Sequence, residues 1–395
     1  MKILFITLLD LEDLNQKGIY HDFVNELISR GNEVTVVCPS EKRFDGKTKI
    51  YNSKEATVLK VKVGNITKTT KIVKGINILR IERAYKKAIN NYLENKKFEL
   101  IVYSTPPITF NNLISYLKKK HNAKTYLLLK DIFPQNAVDL KILKKTSLVY
   151  WMFRIKEKKL YKVSDYIGAM SPQNVKYIKT HNKINSDTHI FRNAIYRESH
   201  NVDINVIKEK FKLNHHKKLL LYGGNIGLPQ GIAYIKKIID RFNEIENAQL
   251  VIVGNGTHYK ELENHINTST NPDIKIFNYM PKDEYNDLLI ACDVGLIFLD
   301  SRFTIPNYPS RLTDFLAAGK PILCATDKNT DLKDEIISYE VGYWNESNNV
   351  DDFINNANEL LTNDMRQYKV NATYFYNKVF KIEDNVDNFF NLIHK

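Results

Sequence analysis

The stretch Leu219-Leu220-Leu221-Tyr222-Gly223-Gly224-Asn225-Ile226-Gly227-Leu228-Pro229-Gln230-Gly231 decides the fold. Its apolar run has the length of a buried strand, its glycines let the backbone turn closely, and a helical pattern begins near Ile232. Strand, glycine turn and helix in that order open a βαβ unit, and the unpaired amides of such a helix start suit an anionic group such as a diphosphate. The loop is not a Walker loop, since no Gly-Lys-Ser/Thr follows, and it lacks a clean GxGxxG. Taken alone, the same glycines also serve as plain turn punctuation.

The same pattern runs outward in both directions. Lys218–Tyr222, Gln249–Val253, Lys275–Asn278, Val294–Leu299 and Pro321–Ala325 read as strands separated by helix-length segments. Toward the N-terminus, Lys2–Thr7, Glu33–Cys38, Leu100–Ser104, Thr125–Leu129 and Tyr166–Met170 repeat it. Between the first two of these, Phe23, Val24, Leu27 and Ile28 form a 3.6-period face that ends at Gly31, where a helix C-cap favours glycine. The fold expected is therefore α/β, with two Rossmann-like, doubly wound parallel sheets. The first domain spans 1–195 and the second 196–370, with the boundary at Phe191–Ala194 and the polar stretch Tyr196–Asn205. A helical segment over 371–395 is expected to return toward the first domain. Such sheets bind ligands beyond their carboxyl ends, so the expected active site is a cleft faced by both domains.

Composition narrows the class. A chain of 395 residues suits two cores, and 43% hydrophobic with 26% charged residues is ordinary for a soluble globular protein. The opening apolar run is too short for a signal peptide, and no stretch approaches a membrane span, so a cytoplasmic protein, peripheral on the membrane at most, is expected. Cys38, Cys292 and Cys324 lack metal-ligand spacing and read as core residues; no metal is expected. The net charge of +13 is compatible with anionic substrates, an anionic membrane surface or a merely solvated surface. Lysines are dense from Lys42 to Lys74, with Lys60, Lys62, Lys68 and Lys71 among them. No aromatic-basic motif of a nucleic-acid module accompanies them, so no nucleic-acid partner is expected.

A second motif, Tyr308-Pro309-Ser310-Arg311-Leu312-Thr313-Asp314-Phe315-Leu316-Ala317-Ala318-Gly319-Lys320-Pro321-Ile322, begins a helix at proline and buries Leu312, Phe315 and Leu316. Arg311 and Asp314, three apart, share a face. Arg311 is suited to phosphate and Asp314 to ribose hydroxyls, unless the two form an ordinary surface ion pair.

Together, in this order, the two motifs resemble the family-4 retaining glycosyltransferases of the GT-B fold, especially members that build capsules and O-antigens. Val251-Ile252-Val253-Gly254-Asn255-Gly256 is similar to that family's strand and glycine turn, and Tyr279-Met280-Pro281-Lys282-Asp283-Glu284-Tyr285 to its base-binding loop. The resemblance implies donor contacts from Gly223, Gly224, Asn225, Gly227, Gln230, Gly254, Asn255, Tyr279, Met280, Pro309, Ser310, Arg311, Leu312 and Asp314. It implies no cofactor beyond a nucleotide sugar as substrate. Two departures stand out. The family's paired glutamates are replaced by Pro306 and Asp314, which leaves the first role to backbone groups of Thr304–Asn307 or to another side chain. The Arg and Lys that often clamp the diphosphate are replaced by Asn225 and Gln230, which makes Arg311 the main positive charge, with a catalytic role in stabilising the leaving group.

In the first domain, Gly18 and Tyr20 are similar to the family's N-terminal glycine loop on the acceptor side. Leu129-Lys130-Asp131-Ile132-Phe133-Pro134 resembles a strand-end segment of polysaccharide-building relatives. This makes Lys130 and Asp131 catalytic candidates, Asp131 orienting the acceptor hydroxyl or taking its proton, unless it only caps the following turn. Leu148–Ile155, apolar nearly all round and flanked by lysines, suits either a membrane interface or a buried position. The activity implied is transfer from a nucleoside diphosphate sugar, UDP-linked and possibly an N-acetylated or deoxy hexose, to a polyprenyl-linked or saccharide acceptor with retention, in surface polysaccharide synthesis. A nucleotide-sugar epimerase of GT-B type is the alternative.

Overall fold

The computed structural model describes residues 1–44, 46–66, 71–198 and 202–395. Lys68 of the basic run and positions 199–201 of the expected linker lie outside the described residues, as do the side chains of Lys71 and Lys74. The chain forms two compact units, Met1–Ile195 with Ile382–Lys395, and Tyr196–Lys381.

The first unit holds eight strands: β1 (Lys2–Ile6), β2 (Glu33–Glu41), β3 (Lys49–Ser53), β4 (Ala56–Val63), β5 (Leu100–Ser104), β6 (Lys124–Leu129), β7 (Tyr166–Ala169) and β8 (Asp187–Ile190). Their order is β3-β4-β2-β1-β5-β6-β7-β8, parallel throughout except for β3 against β4. Strand β1 pairs on both sides, Ile3 with Val34 and with Leu100, so the strand order reverses there and a crevice opens beyond its carboxyl end. Ile3, Leu4, Phe5 and Ile6 are fully buried, as a central parallel strand covered on both faces requires.

Strands β3, β4 and β8 were not foreseen. The reason is clearest in β4, where Lys60 and Lys62 disguise a buried strand as part of a basic surface. Lys60 is 4% exposed, and its ammonium meets Asp10 Oδ2 at 3.0 Å and Glu12 Oε2 at 2.6 Å. A lysine paired to two carboxylates can be buried where a lone one cannot. It tethers the loop after β1 and adds nothing to a free basic patch.

The second unit restarts with β9 (Lys218–Asn225), β10 (Ala248–Asn255), β11 (Ile274–Phe277), β12 (Val294–Phe298), β13 (Ile322–Thr326) and β14 (Gly342–Glu346), ordered β11-β10-β9-β12-β13-β14 and all parallel. The order reverses between β9 and β12, which makes the glycine run at the end of β9 the switch point of this sheet. The expected break at 370/371 falls inside helix Met365–Val379, and the change of unit comes at Lys381/Ile382. Aromatic packing accounts for the difference. Phe375 stacks on Tyr339 with ring centroids 3.8 Å apart in the second unit, whereas Phe389 packs on Phe23 and Tyr126 in the first.

Candidate active site

The donor-side candidates gather at the carboxyl ends of β9 and β10. Gly254 pairs with Gly224 and Asn255 with Asn225, so the two glycine turns are adjacent in register. Gly254 has φ +152, and a Cβ there would lie 1.7 Å from the Gly224 carbonyl oxygen. Both conformation and space therefore demand glycine. We expect Gly254→Ala to lower stability by about 3 kcal/mol or more, seen as a reduced denaturant midpoint at unchanged slope.

Arg311 reaches this place because its helix is seated on β12. A side chain on Gly295 of β12 would collide with the Phe315 ring at 2.4 Å, so the glycine admits Phe315, and Leu312, Phe315 and Leu316 are fully buried beneath helix Arg311–Ala317. The guanidinium then lies against Gly224, whose φ is +149 and where a Cβ would sit 3.0 Å from Arg311 Nε. On its other side is the Tyr285 ring, 5.6 Å from Arg311 Cζ. Tyr285 in turn occupies the space a side chain on Gly223 would fill, 2.2 Å from that position. Burial raises the Tyr285 phenol well above its usual range, only partly countered by Arg311, so it stays protonated.

Arg311 and Asp314 form no ion pair with each other, nor does Arg311 with any described carboxylate. An ordinary surface pair is thereby excluded, and a half-buried guanidinium is left facing a glycine turn, with Asp314 near enough to feel its charge but not paired with it. Burial raises the Asp314 carboxyl, while Arg311 and Lys282 pull it down. The remaining candidates divide. Asn225 Nδ2 and Gln230 Oε1 lie 2.9 Å apart, so the two amides at the expected clamp positions engage one another. Gly227 is extended, its conformation open to any residue. Pro309 and Ser310 lead into the helix, but the Leu312 side chain is in the core and has no access to a ligand. Tyr279 is 75% exposed, and Met280 beside it is half-buried. In the expected stand-in for the first glutamate, the Asn307 amide is taken by Ile305 O at 3.0 Å.

In the first unit, β1, β5 and β6 bring Thr7, Ser104 and Asp131 to one crevice. Thr105 Oγ1 accepts the amides of Lys130 at 2.9 Å and Asp131 at 3.2 Å and fixes the turn at the end of β6. The Asp131 carboxylate caps nothing: the following turn closes on the carbonyls of Ile132 and Pro134, and no described residue bonds or pairs with the carboxylate. Burial pushes it up to about 6. The Lys130 amine, brought down to about 7 by burial, donates to Arg192 O at 3.3 Å. Tyr20 and Asp131 line one cavity of about 450 Å³, with Phe133 and Phe153 among the other walls; Gly18 and Lys130 are not part of it. Gly18, at φ +147, begins helix Ile19–Ser29.

Sequence reasoning placed Tyr285 at the end of the base-binding loop without giving it a role, and missed this cavity. The signal for Tyr285 was its spacing from Leu288 and Leu289, which places all three on the face of helix Lys282–Ala291 that packs toward β9.

The chain is 26% identical over 259 residues to the probable glycosyltransferase WbjE of Pseudomonas aeruginosa, a match covering 63% of this chain and 62% of the relative. It spans less than two thirds of the length of the curated relatives it matches. Among solved structures, sucrose-phosphate synthase from Thermosynechococcus elongatus superposes with a TM-score of 0.76 at 14% identity, over 100% of this chain and 98% of that one. HepE from Anabaena, solved in complex with UDP, gives 0.66 at 11% identity over 100% of both chains. These similarities show the fold, two parallel-sheet domains of the GT-B glycosyltransferase type. Residues 203–374, which contain β9 to β14 and both of the motifs that hold Arg311 against Gly224, match the family model described as glycosyl transferases group 1.

Proposed function

We propose that this chain transfers a sugar from a UDP-linked donor to an acceptor hydroxyl in the synthesis of a surface polysaccharide. The observation that carries the reading is Arg311: a guanidinium with no ion pair, set against a positive-φ glycine at the switch point of a doubly wound sheet. Diphosphate is the chemistry that fits a cation beside close-approaching backbone. As the bond from the anomeric carbon to the diphosphate breaks, negative charge grows on the leaving oxygen, and Arg311 stabilises it without having to be reorganised. Asp131 receives the proton as the acceptor oxygen bonds to the anomeric carbon, and UDP leaves. Retention at that carbon and metal independence follow the resemblance to the retaining family and belong to the proposal. Asp314 takes the ribose hydroxyls. UDP at a hundred times its Kd should stabilise the protein by about 2.7 kcal/mol in a thermal-shift titration. No shift with UDP, or an equal one with every nucleotide, overturns the reading.

The acceptor is proposed to be lipid-linked, because one helix of the first unit carries an exposed apolar strip of the kind that suits a membrane surface. No described helix is long and apolar enough to cross a membrane. Helix Leu148–Val163 nevertheless presents Leu148 at 87%, Trp151 at 53% and Ile155 at 51% exposure on one face, with Lys144, Lys145, Lys156, Lys158 and Lys159 around it. An apolar strip with flanking lysines suits an anionic bilayer surface. Phe153 does not belong to this strip, since it turns inward to meet Phe133 with ring centroids 5.0 Å apart. Replacing Leu148, Trp151 and Ile155 together by Ser should abolish co-sedimentation with vesicles containing phosphatidylglycerol, while Phe153→Ser should not. Equal sedimentation of the triple variant and the parent removes the membrane from the proposal.

A further inference from the structure

The cavity beside Asp131 offers an occupant few polar partners. Thr7, Ser104, Thr105 and Thr109 line it, but each is no more than 2% exposed. Thr7 Oγ1 and Ser104 Oγ bond each other at 3.1 Å, the Tyr20 phenol turns to Ser104 as well, and Thr105 Oγ1 accepts two backbone amides. These hydroxyls serve the protein itself, and the Asn136 side-chain oxygen is sealed from the surface. Among the lining side chains, the half-buried Asp131 carboxylate is left as the acceptor within an occupant's reach. No Lys or Arg is among the described lining residues, so nothing there favours a phosphate or a carboxylate. The accessible wall is carbon: Leu8, Leu9, Pro106, Phe133 and Phe153.

An occupant must therefore bring one hydroxyl to Asp131 and present carbon where it meets the wall. A further hydroxyl or an amide turned toward Leu8 or Phe153 would lose its water with no side-chain partner in exchange. A lipid chain is carbon throughout, but the strip that suits a bilayer lies on the other face of the wall-forming helix. Phe153 is two residues beyond Trp151, about 200° around the helix axis, so a chain lying along Leu148, Trp151 and Ile155 has the helix between it and the cavity. A sugar with a methyl group in place of the usual hydroxymethyl meets each demand. We propose that this cavity binds the acceptor's terminal sugar as an uncharged 6-deoxyhexose, with the C6 methyl on the wall of Leu8, Leu9 and Phe153 and the nucleophilic hydroxyl at Asp131. The proposal rests on the glycosyltransferase reading for the role of Asp131, and it makes the apolar wall the determinant of acceptor specificity.

The test uses the full chain with UDP present and two pairs of probes that differ only in the hydroxyl on C6: methyl α-L-fucopyranoside against methyl α-L-galactopyranoside, and methyl 6-deoxy-β-D-glucopyranoside against methyl β-D-glucopyranoside. Saturation-transfer NMR should show the deoxy member of at least one pair binding roughly 10–100-fold more tightly than its partner, the scale on which an apolar pocket discriminates against an added hydroxyl. The strongest transfer should fall on the C6 methyl. Leu8→Gln, at a half-buried position, and Leu9→Gln, at one 50% exposed, give a C6 hydroxyl a partner and should each narrow the preference several-fold with UDP binding unchanged. Equal binding within both pairs, no binding of any glycoside, or a preference untouched by both variants overturns the proposal. Displacement of the deoxy glycoside by farnesol from the same cavity, with no preference within either pair, overturns it in favour of a prenyl chain. A parent chain that fails to bind UDP defeats the glycosyltransferase reading instead, and the preference within the pairs still reports on the cavity.

Discussion

Arg311→Ala should weaken UDP binding by about 1.5–3 kcal/mol, the scale of a charge-assisted hydrogen bond, or roughly 10–150-fold in Kd by calorimetry. The effect should be confined to the phosphates. Uridine, which offers Arg311 nothing, should bind the variant and the parent alike. Arg311→Lys should recover only part of the loss, because an ammonium cannot present the planar fork that grips two phosphate oxygens. Tyr285→Ala should fall between parent and Arg311→Ala, since the ring only limits where the guanidinium can go. Unchanged UDP affinity in Arg311→Ala would remove the residue from the site and, with it, the observation on which the donor reading stands.

The case for Arg311 also shows where sequence was informative. Strands β1, β2, β5, β6 and β7, and β9 to β13, were legible because buried parallel strands are continuous apolar runs. Gly254 and Gly224 were legible as glycines, but not as neighbours: the Gly224 carbonyl oxygen comes within 1.7 Å of where a Gly254 Cβ would sit only when β9 and β10 pair in register. Strand β4 was hidden because the feature that permits its burial, the pairing of Lys60 with Asp10 and Glu12, joins residues about fifty positions apart. The relation among Gly223, Tyr285 and Arg311 was hidden for the same reason, since each member looks ordinary alone. Leu312 shows the opposite limit. A motif placed it with the ligand-binding residues, and helix geometry turned its side chain into the core.

Asp131→Asn separates chemistry from folding, because the change keeps the shape of the side chain and removes its capacity to take a proton. It should leave UDP affinity unchanged and slow transfer by roughly 10²–10⁴-fold, the range for a lost general base. Burial holds the parent carboxyl at about 6, so kcat should rise with pH through that value and level off above it, as the ionised form becomes complete. The variant should lack that limb. Stability gives an independent readout of opposite sign. A carboxyl raised above its unfolded value of about 3.9 binds more protons in the folded state between the two pKa values, so the parent loses stability as pH rises from about 4 to about 6. Asparagine carries no such linkage. The melting temperature of Asp131→Asn relative to the parent should therefore climb across that window and stay constant above it. A variant that keeps full transfer activity would take Asp131 out of the chemistry. A flat difference in melting temperature would show that the carboxylate is not desolvated in the folded chain, which the unpaired, cavity-lining position of Asp131 requires.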